Sequence, residues 1–340
     1  MIDFSILAQK SLTGESLSRE EAFCVIQTAD ENLRDLLSAA FTVRQRSFGR
    51  KVKVCVLQNA QSGLCPEDCH YCSQSNISSA SIEKYRLLSK QQLLTGARKA
   101  VAAGARRYCM VASGRGPQAS DIAHMTDAVK TIKSEFPDLE ICVSLGLMDQ
   151  TQATDLKNAG VGWVNHNLNT SRRFYPQICT THTYDDRVET VQNVKRAGLS
   201  SCSGGIIGMG ENDEDIVELG YTVRELGIDS IPVNFLYPIE GSPLGQQQKV
   251  DPIKGLKALC LMRFLNPQSE IRMAAGRELH LGSWSGLAFY PANSIFVEGY
   301  LTTPGQGSQA ARTLIEEAGF EIEEALSEPD SSTQQQTVSP

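Results

Sequence analysis

From residue 52 onward, short β-branched runs alternate with longer amphipathic stretches, and this alternation dominates the chain. Apolar runs of strand length fall at residues 52–57, 107–112, 140–145, 162–167, 200–207, 230–236, 270–275 and 294–298. Between them, helical periodicity covers residues 90–103, 121–136, 149–158, 185–197, 214–226, 253–264 and 282–289, with 308–318 closing the series. Gly104, Gly160, Gly198, Gly227 and Gly319 each follow a helical stretch, where glycine enters the left-handed region at least cost. Eight strand-then-helix units predict a parallel (β/α)8 barrel of the TIM type. A doubly wound open sheet shares the same alternation.

The flanks read differently. Residues 1–50 carry short helical patterns, one of them opened by a capping box of Ser18 and Glu21, and are expected to form a helical cap. Residues 51–320 are expected to form the barrel. The polar stretch 327–340 has almost no apolar residue and is expected to be a disordered tail.

Composition narrows the function classes. Of 340 residues, 41% are hydrophobic and 21% charged, enough apolar mass for a real core. A net charge of -7 without a basic stripe argues against nucleic acid as the partner. No run of 18 apolar residues occurs, which argues against a membrane span. Ten cysteines, three of them crowded into one loop, suit metal-bound thiolates in a reducing cytoplasm better than a disulfide framework.

That loop, Gly63-Leu-Cys-Pro-Glu-Asp-Cys-His-Tyr-Cys-Ser-Gln-Ser75, directly follows the first strand run. Four-iron clusters normally take four thiolates, so the triplet Cys65, Cys69 and Cys72 suggests one iron left open to another ligand. Two other readings stand beside it: three core cysteines on one helix face, and a zinc ion held with His70. The polar flanks disfavour the helix. At the start of a strand-to-helix connection, the loop would occupy the end of the barrel where chemistry takes place.

Three more cysteines, Cys109, Cys142 and Cys202, lie inside strand runs, and Arg272 occupies the same kind of position. Because strand side chains alternate between faces, all four reach the barrel axis if the registers agree. A buried arginine needs a negatively charged partner, which thiolates or cluster sulfides supply. Cysteine also serves as a small hydrophobe in cores, and Cys24, Cys55, Cys179 and Cys260 read as structural in this sense. Asn165, Asn167 and Asn169 end the fourth strand on one face, where they can hydrogen-bond a polar ligand or serve as turn residues. The glycine-rich stretch Ser203-Gly-Gly-Ile-Ile-Gly-Met-Gly-Glu211 ends the fifth, which a tight turn explains equally well.

Taken with Val233-Asn-Phe-Leu, Arg272-Met-Ala-Ala-Gly-Arg277 and Ala292-Asn-Ser-Ile-Phe296, these segments closely resemble the biotin synthase family of radical S-adenosylmethionine enzymes, over residues 20–320. The triplet alone points to the superfamily; its combination with Cys109, Cys142, Cys202 and Arg272 singles out the family. The resemblance implies a homodimeric (β/α)8 sulfurtransferase that inserts sulfur into dethiobiotin, with an electron donor such as flavodoxin. It implies a 4Fe-4S cluster on Cys65, Cys69 and Cys72, whose open iron takes S-adenosyl-L-methionine, and a sulfur-donating 2Fe-2S cluster on Cys109, Cys142, Cys202 and Arg272. By motif position, Tyr71, Asn167, Asn169, Arg187, Gly205, Ile207 and Glu211 would contact the cofactor. Asn165, Asn167 and Asn234 would hold the ureido ring of dethiobiotin. One departure stands out: the family motif ends Asn-His-Asn-Leu-Asp, whereas this chain has Asn169, which offers the cofactor ribose a hydrogen bond without charge. Another radical enzyme on the same scaffold, without sulfur insertion, is the competing reading.

Overall fold

The computed structural model describes residues 3–323. The expected tail at 327–340 lies outside the described residues. Ten strands form the sheet: β1 Lys51–Gln61, β2 Arg107–Ala112, β3 Glu140–Ser144, β4 Trp163–Asn165, β5 Ser200–Cys202, β6 Gly205–Ile207, β7 Ser230–Phe235, β8 Glu270–Met273, β9 Ser294–Val297 and β10 Glu321–Ile322. All pairings are parallel, in the order β1-β2-β3-β4-β5-β7-β8-β9, and β9 returns to β1, closing the barrel. A (β/α)8 barrel is therefore the fold, and the open doubly wound sheet is excluded.

The fifth barrel position is split. β5 and β6 both pair with β7, separated by Ser203 and Gly204. A Cβ on Gly204 would stand 2.0 Å from the Pro232 carbonyl oxygen, so the break lets two backbones approach where a side chain would separate them. Gly204→Ala is expected to destabilise the chain by about 1–3 kcal/mol, since the obstruction is backbone and repacking costs about that much; a denaturant titration measures it.

Helical caps follow sequence rules closely. The Ser18–Glu21 capping box opens helix Arg19–Ile26, and Gly104, Gly160, Gly198, Gly227 and Gly319 all take positive φ after helix ends. Helix Pro252–Leu265 is buried along Gly255–Leu265 because it lies between the barrel and the N-terminal helices Phe4–Thr13, Arg19–Ile26 and Leu33–Phe48. That sandwich explains its apolar character on all sides. Among the described residues, no helix is long and apolar enough to cross a membrane.

The amino-terminal end of the barrel interior is closed by charge. Buried Arg107 gives two hydrogen bonds to Glu270 (3.1 and 3.0 Å) and one to Glu140 (2.8 Å), and its guanidinium lies 3.7 Å from the centre of the Trp163 ring. Lys53 bonds Glu140 at 2.8 Å, and Arg272 pairs with Glu270 from above. Burial alone would raise the Glu270 carboxyl, but Arg107, Arg272 and Lys53 outweigh it and hold the group well below the usual carboxylate range. Removing one partner of a buried pair strands the others, so Arg107→Met is expected to cost about 3–5 kcal/mol. Equilibrium unfolding in denaturant reads the loss.

Candidate active site

The loop after β1 is built by its own hydrogen bonds. Gly63 and Leu64 both have positive φ and turn the chain off the strand, with the Gly63 N–H donating to Gln74 Oε1 at 2.9 Å. Cys69 accepts from the Cys72 N–H (3.2 Å), and Cys72 in turn accepts from the Ser75 N–H (3.2 Å). Asp68 clamps the loop to the segment before helix Tyr184–Arg196, accepting from the Thr180 (2.9 Å) and Thr181 (3.2 Å) N–H groups. The main chain adds His70 N–H to the Ile178 carbonyl at 2.9 Å. Cys65, Cys69 and Cys72 are thereby placed on the wall of a cavity of about 350 Å³ at the carboxyl end of the barrel.

Cys109 and Cys142 line the same cavity and stand in register on β2 and β3. Cys202 is in register with Asn165, whose Nδ2 lies 3.3 Å from its sulfur. Arg272 Nη1 stands 3.7 Å from the Cys202 sulfur, while its other nitrogens bond Ser294 (3.0 Å) and Ser230 (3.2 Å). Its guanidinium lies 4.7 Å from the centre of the Phe296 ring. Three buried thiols and a guanidinium from four strands thus occupy one level of the barrel, above the Arg107–Glu270 layer.

The registers bring in one residue that sequence reading set aside. Cys55 lies on β1 in the apolar cluster with Cys109, Cys142, Phe296 and Tyr300. Burial pushes its thiol up to about 11. The signal was present: Lys53, Cys55 and Leu57 share a strand face, and Lys53 ends in the interior charge layer.

The polar wall is a connected network. Asn167 Oδ1 accepts from Asn165 Nδ2 and the Gly204 N–H, both at 3.1 Å. Asn169, in the left-handed region at φ 70°, donates to the Tyr71 hydroxyl at 2.6 Å. Asparagine is one of the few residues that take this conformation readily. An aspartate there would reverse the bond and accept from Tyr71. Arg187 is buried and donates to the Asn167 carbonyl (2.7 Å), Tyr175 (2.5 Å) and Tyr71 (3.4 Å). Among the described residues it has no carboxylate partner, so its charge is available to an anionic group. Asn234 is held at both ends of its amide, donating to the Gly205 carbonyl (3.1 Å) and accepting from the Ala275 N–H (3.2 Å).

Three expected cofactor contacts do not line the cavity. Gly205 and Ile207 do not line the cavity, whereas Ile206 between them does, as strand alternation requires. Glu211 turns its carboxylate back on its own loop, accepting from the Gly208 and Met209 N–H groups at 2.7 Å each. Burial raises its carboxyl above the usual range.

Donor chemistry fits iron–sulfur clusters. Burial pushes the Cys72 thiol up to about 11 and raises Cys65, so these sulfurs keep their protons until a cation replaces them. The Arg187 cation, without a carboxylate partner among the described residues, would offset the negative charge that thiolates and sulfides bring. Cys65, Cys69 and Cys72 suit a four-iron cluster, and Cys109, Cys142, Cys202 and Arg272 suit a second one deeper in the barrel.

Comparison with known proteins identifies the lineage. Residues 62–220 match the Radical SAM superfamily, and residues 232–321 match the Biotin and Thiamin Synthesis associated domain. Biotin synthase 2 of Frankia casuarinae is 48% identical over 93% of this chain and 88% of its own length. Biotin synthase of Bacillus cytotoxicus is 47% identical over 95% of this chain and 97% of its own. The chain belongs to the biotin synthase family. As a member it is a radical S-adenosylmethionine enzyme that inserts sulfur. Among solved structures, methylornithine synthase superposes with a TM-score of 0.80 at 21% identity, covering 93% of this chain and 97% of that one. An FeFe-hydrogenase maturase from Carboxydothermus hydrogenoformans gives 0.79 at 18% identity, covering 95% and 80%. At such identities the likeness speaks for the barrel alone.

Proposed function

We propose that this chain converts dethiobiotin to biotin with two iron–sulfur clusters, a 4Fe-4S cluster on Cys65, Cys69 and Cys72 and a 2Fe-2S cluster on Cys109, Cys142, Cys202 and Arg272. The observation that carries the reading is the second group: three buried thiols and a guanidinium on four strands of one barrel, of which Cys109, Cys142 and Arg272 line the same cavity as the loop triplet and Cys202 stands 3.7 Å from Arg272 Nη1 behind them. An enzyme that only cleaved S-adenosyl-L-methionine would have no use for it. When bound, the first cluster and S-adenosyl-L-methionine supply a carbon-centred radical, and the second cluster supplies sulfur.

The chain's own residues bind and orient. Arg187 presents a buried positive charge to the carboxylate of S-adenosyl-L-methionine, and Tyr71 with Asn169 forms the adjoining polar edge. Asn165 commits its N–H groups to Asn167 and Cys202, so its oxygen is what it offers a ligand. Asn167 has the opposite bias, since its oxygen already accepts twice and its N–H groups remain. A cyclic urea carries two N–H donors and one carbonyl, which this complementary pair, with Asn234 alongside, matches. Phe296 and Tyr300 pack against the Cys109 and Cys142 thiols and give that part of the cavity an apolar wall.

The reading further includes a homodimer, a cytoplasmic location and an external one-electron donor of the flavodoxin type. Free thiols at all ten cysteines suit a reducing compartment. The direct test is anaerobic protein loaded with iron and sulfide, given a reductant, S-adenosyl-L-methionine and dethiobiotin. Biotin is expected as product. Cleavage of S-adenosyl-L-methionine without biotin, at about six irons per chain, would overturn the proposal in favour of a radical enzyme that transfers no sulfur.

A further inference from the structure

Cys179 lies in the clamp segment that Asp68 fixes against the cysteine loop, and its sulfur is 3.8 Å from that of Cys69. Its sulfur is also 3.3 Å from His182 Nδ1. One ligand atom from each of Cys69, Cys179 and His182 lies within 4.8 Å of the others, and all three residues are buried. We propose that these three residues form a zinc site in the cluster-free chain, one that shares Cys69 with the iron–sulfur site and excludes the cluster while occupied.

The distances select the metal chemistry. Two thiolates on one tetrahedral zinc, with Zn–S near 2.3 Å, stand about 3.8 Å apart, and a thiolate and an imidazole nitrogen about 3.5 Å apart. The observed 3.8 and 3.3 Å match both. Thiolates on different irons of a four-iron cluster stand much farther apart, so Cys179 in this position is not a fourth cluster ligand.

The surroundings are those of a zinc site. His182 Nε2 meets the Tyr175 hydroxyl at 2.8 Å, which sets the ring orientation and turns Nδ1 toward Cys179. Glu67 Oε2 shares a hydrogen bond with the same Nδ1, and the cation would replace the proton of that bond. Its carboxylate, with the two thiolates, balances a dication beside the Arg187 charge. Entry is through the cavity, which Cys69, Glu67 and His182 all line. A thiol–imidazole nucleophile of the protease kind is the rival reading of this cluster. Geometry disfavours it, because Cys179 stands nearer to Nδ1 (3.3 Å), which Glu67 also bonds, than to Nε2 (3.9 Å), which the Tyr175 hydroxyl occupies.

The test uses the full chain freed of iron by chelation, kept reduced, with Co²⁺ as the optical probe and Zn²⁺ as competitor. Expected is one Co²⁺ per chain, with thiolate charge-transfer and tetrahedral ligand-field bands that Zn²⁺ displaces. Cys179→Ser is expected to weaken Co²⁺ binding on the order of a hundredfold or more, since loss of an outer-shell partner already costs 10–100-fold. His182→Gln is expected to shift the ligand-field bands, while Cys65→Ser and Cys72→Ser bind as wild type does. Wild-type binding by Cys179→Ser, or loss of binding in Cys65→Ser or Cys72→Ser, would assign the metal to the loop triplet and overturn the proposal. So would the absence of thiolate bands in the wild type. Circular dichroism separates misfolding of any one variant from loss of a ligand. A final arm rests on the cluster assignment: prior Zn²⁺ should slow the growth of iron–sulfur absorbance in wild type and not in Cys179→Ser. Equal growth with and without Zn²⁺, after the Co²⁺ arms succeed, would overturn the sharing of Cys69 alone.

Discussion

Cys69→Ala is expected to reduce cleavage of S-adenosyl-L-methionine to background, measured as 5′-deoxyadenosine formed by anaerobically reconstituted protein. Cys69 is the buried member of the loop triplet, and its carbonyl receives the Cys72 N–H that shapes the turn. Without its sulfur, two half-buried thiols remain, too few to hold a four-iron cluster. Cys179 is the one thiol at hand to substitute, 3.8 Å away. Cleavage that survives in Cys69→Ala and disappears in a double variant with Cys179→Ala would give the ligand role to Cys179 and defeat the assignment.

Replacing Cys202 by alanine should have the opposite signature. Cleavage is expected to continue while biotin formation is lost, and iron should fall from about six to about four per chain. Cys202 lies on β5, buried beneath Asn165 and Arg272, and takes no part in the loop that carries the first three cysteines. Its loss leaves that loop's hydrogen bonds untouched. It removes the thiol that stands 3.7 Å from Arg272 Nη1, so the deeper site is incomplete. Full biotin formation by this variant would show that the strand cysteines are core residues.

Much of the fold was legible because each barrel unit repeats a local pattern. All eight strand runs contain a barrel strand, since strands buried on both faces are mostly apolar and the few charged residues within them, such as Arg107 and Glu270, pair with one another inside the barrel. The break at Ser203 and Gly204 escaped, because it depends on how closely Pro232 on the neighbouring strand approaches, and so did the two-residue β10, which exists only by pairing with β1. The loop triplet was legible for the same local reason: its spacing is written in eight consecutive residues. Cys55 was hidden by its all-apolar surroundings, although Lys53 two positions earlier carried the clue. Cys179 and His182 had no such clue, because Cys69, which meets them in space, lies 110 residues before Cys179 in sequence.

The chain's order of residues determined the strands, the helix ends and the cysteine loop, all of which depend on neighbours a few positions apart. Tertiary structure alone decided that the barrel closes β9 onto β1, and that Cys109, Cys142, Cys202 and Arg272 share one level. It alone turned Glu211 away from the cavity and Ile206 into it. The physical reason is register: one residue of slip reverses every side chain on a strand, and register is set by pairing across the sheet.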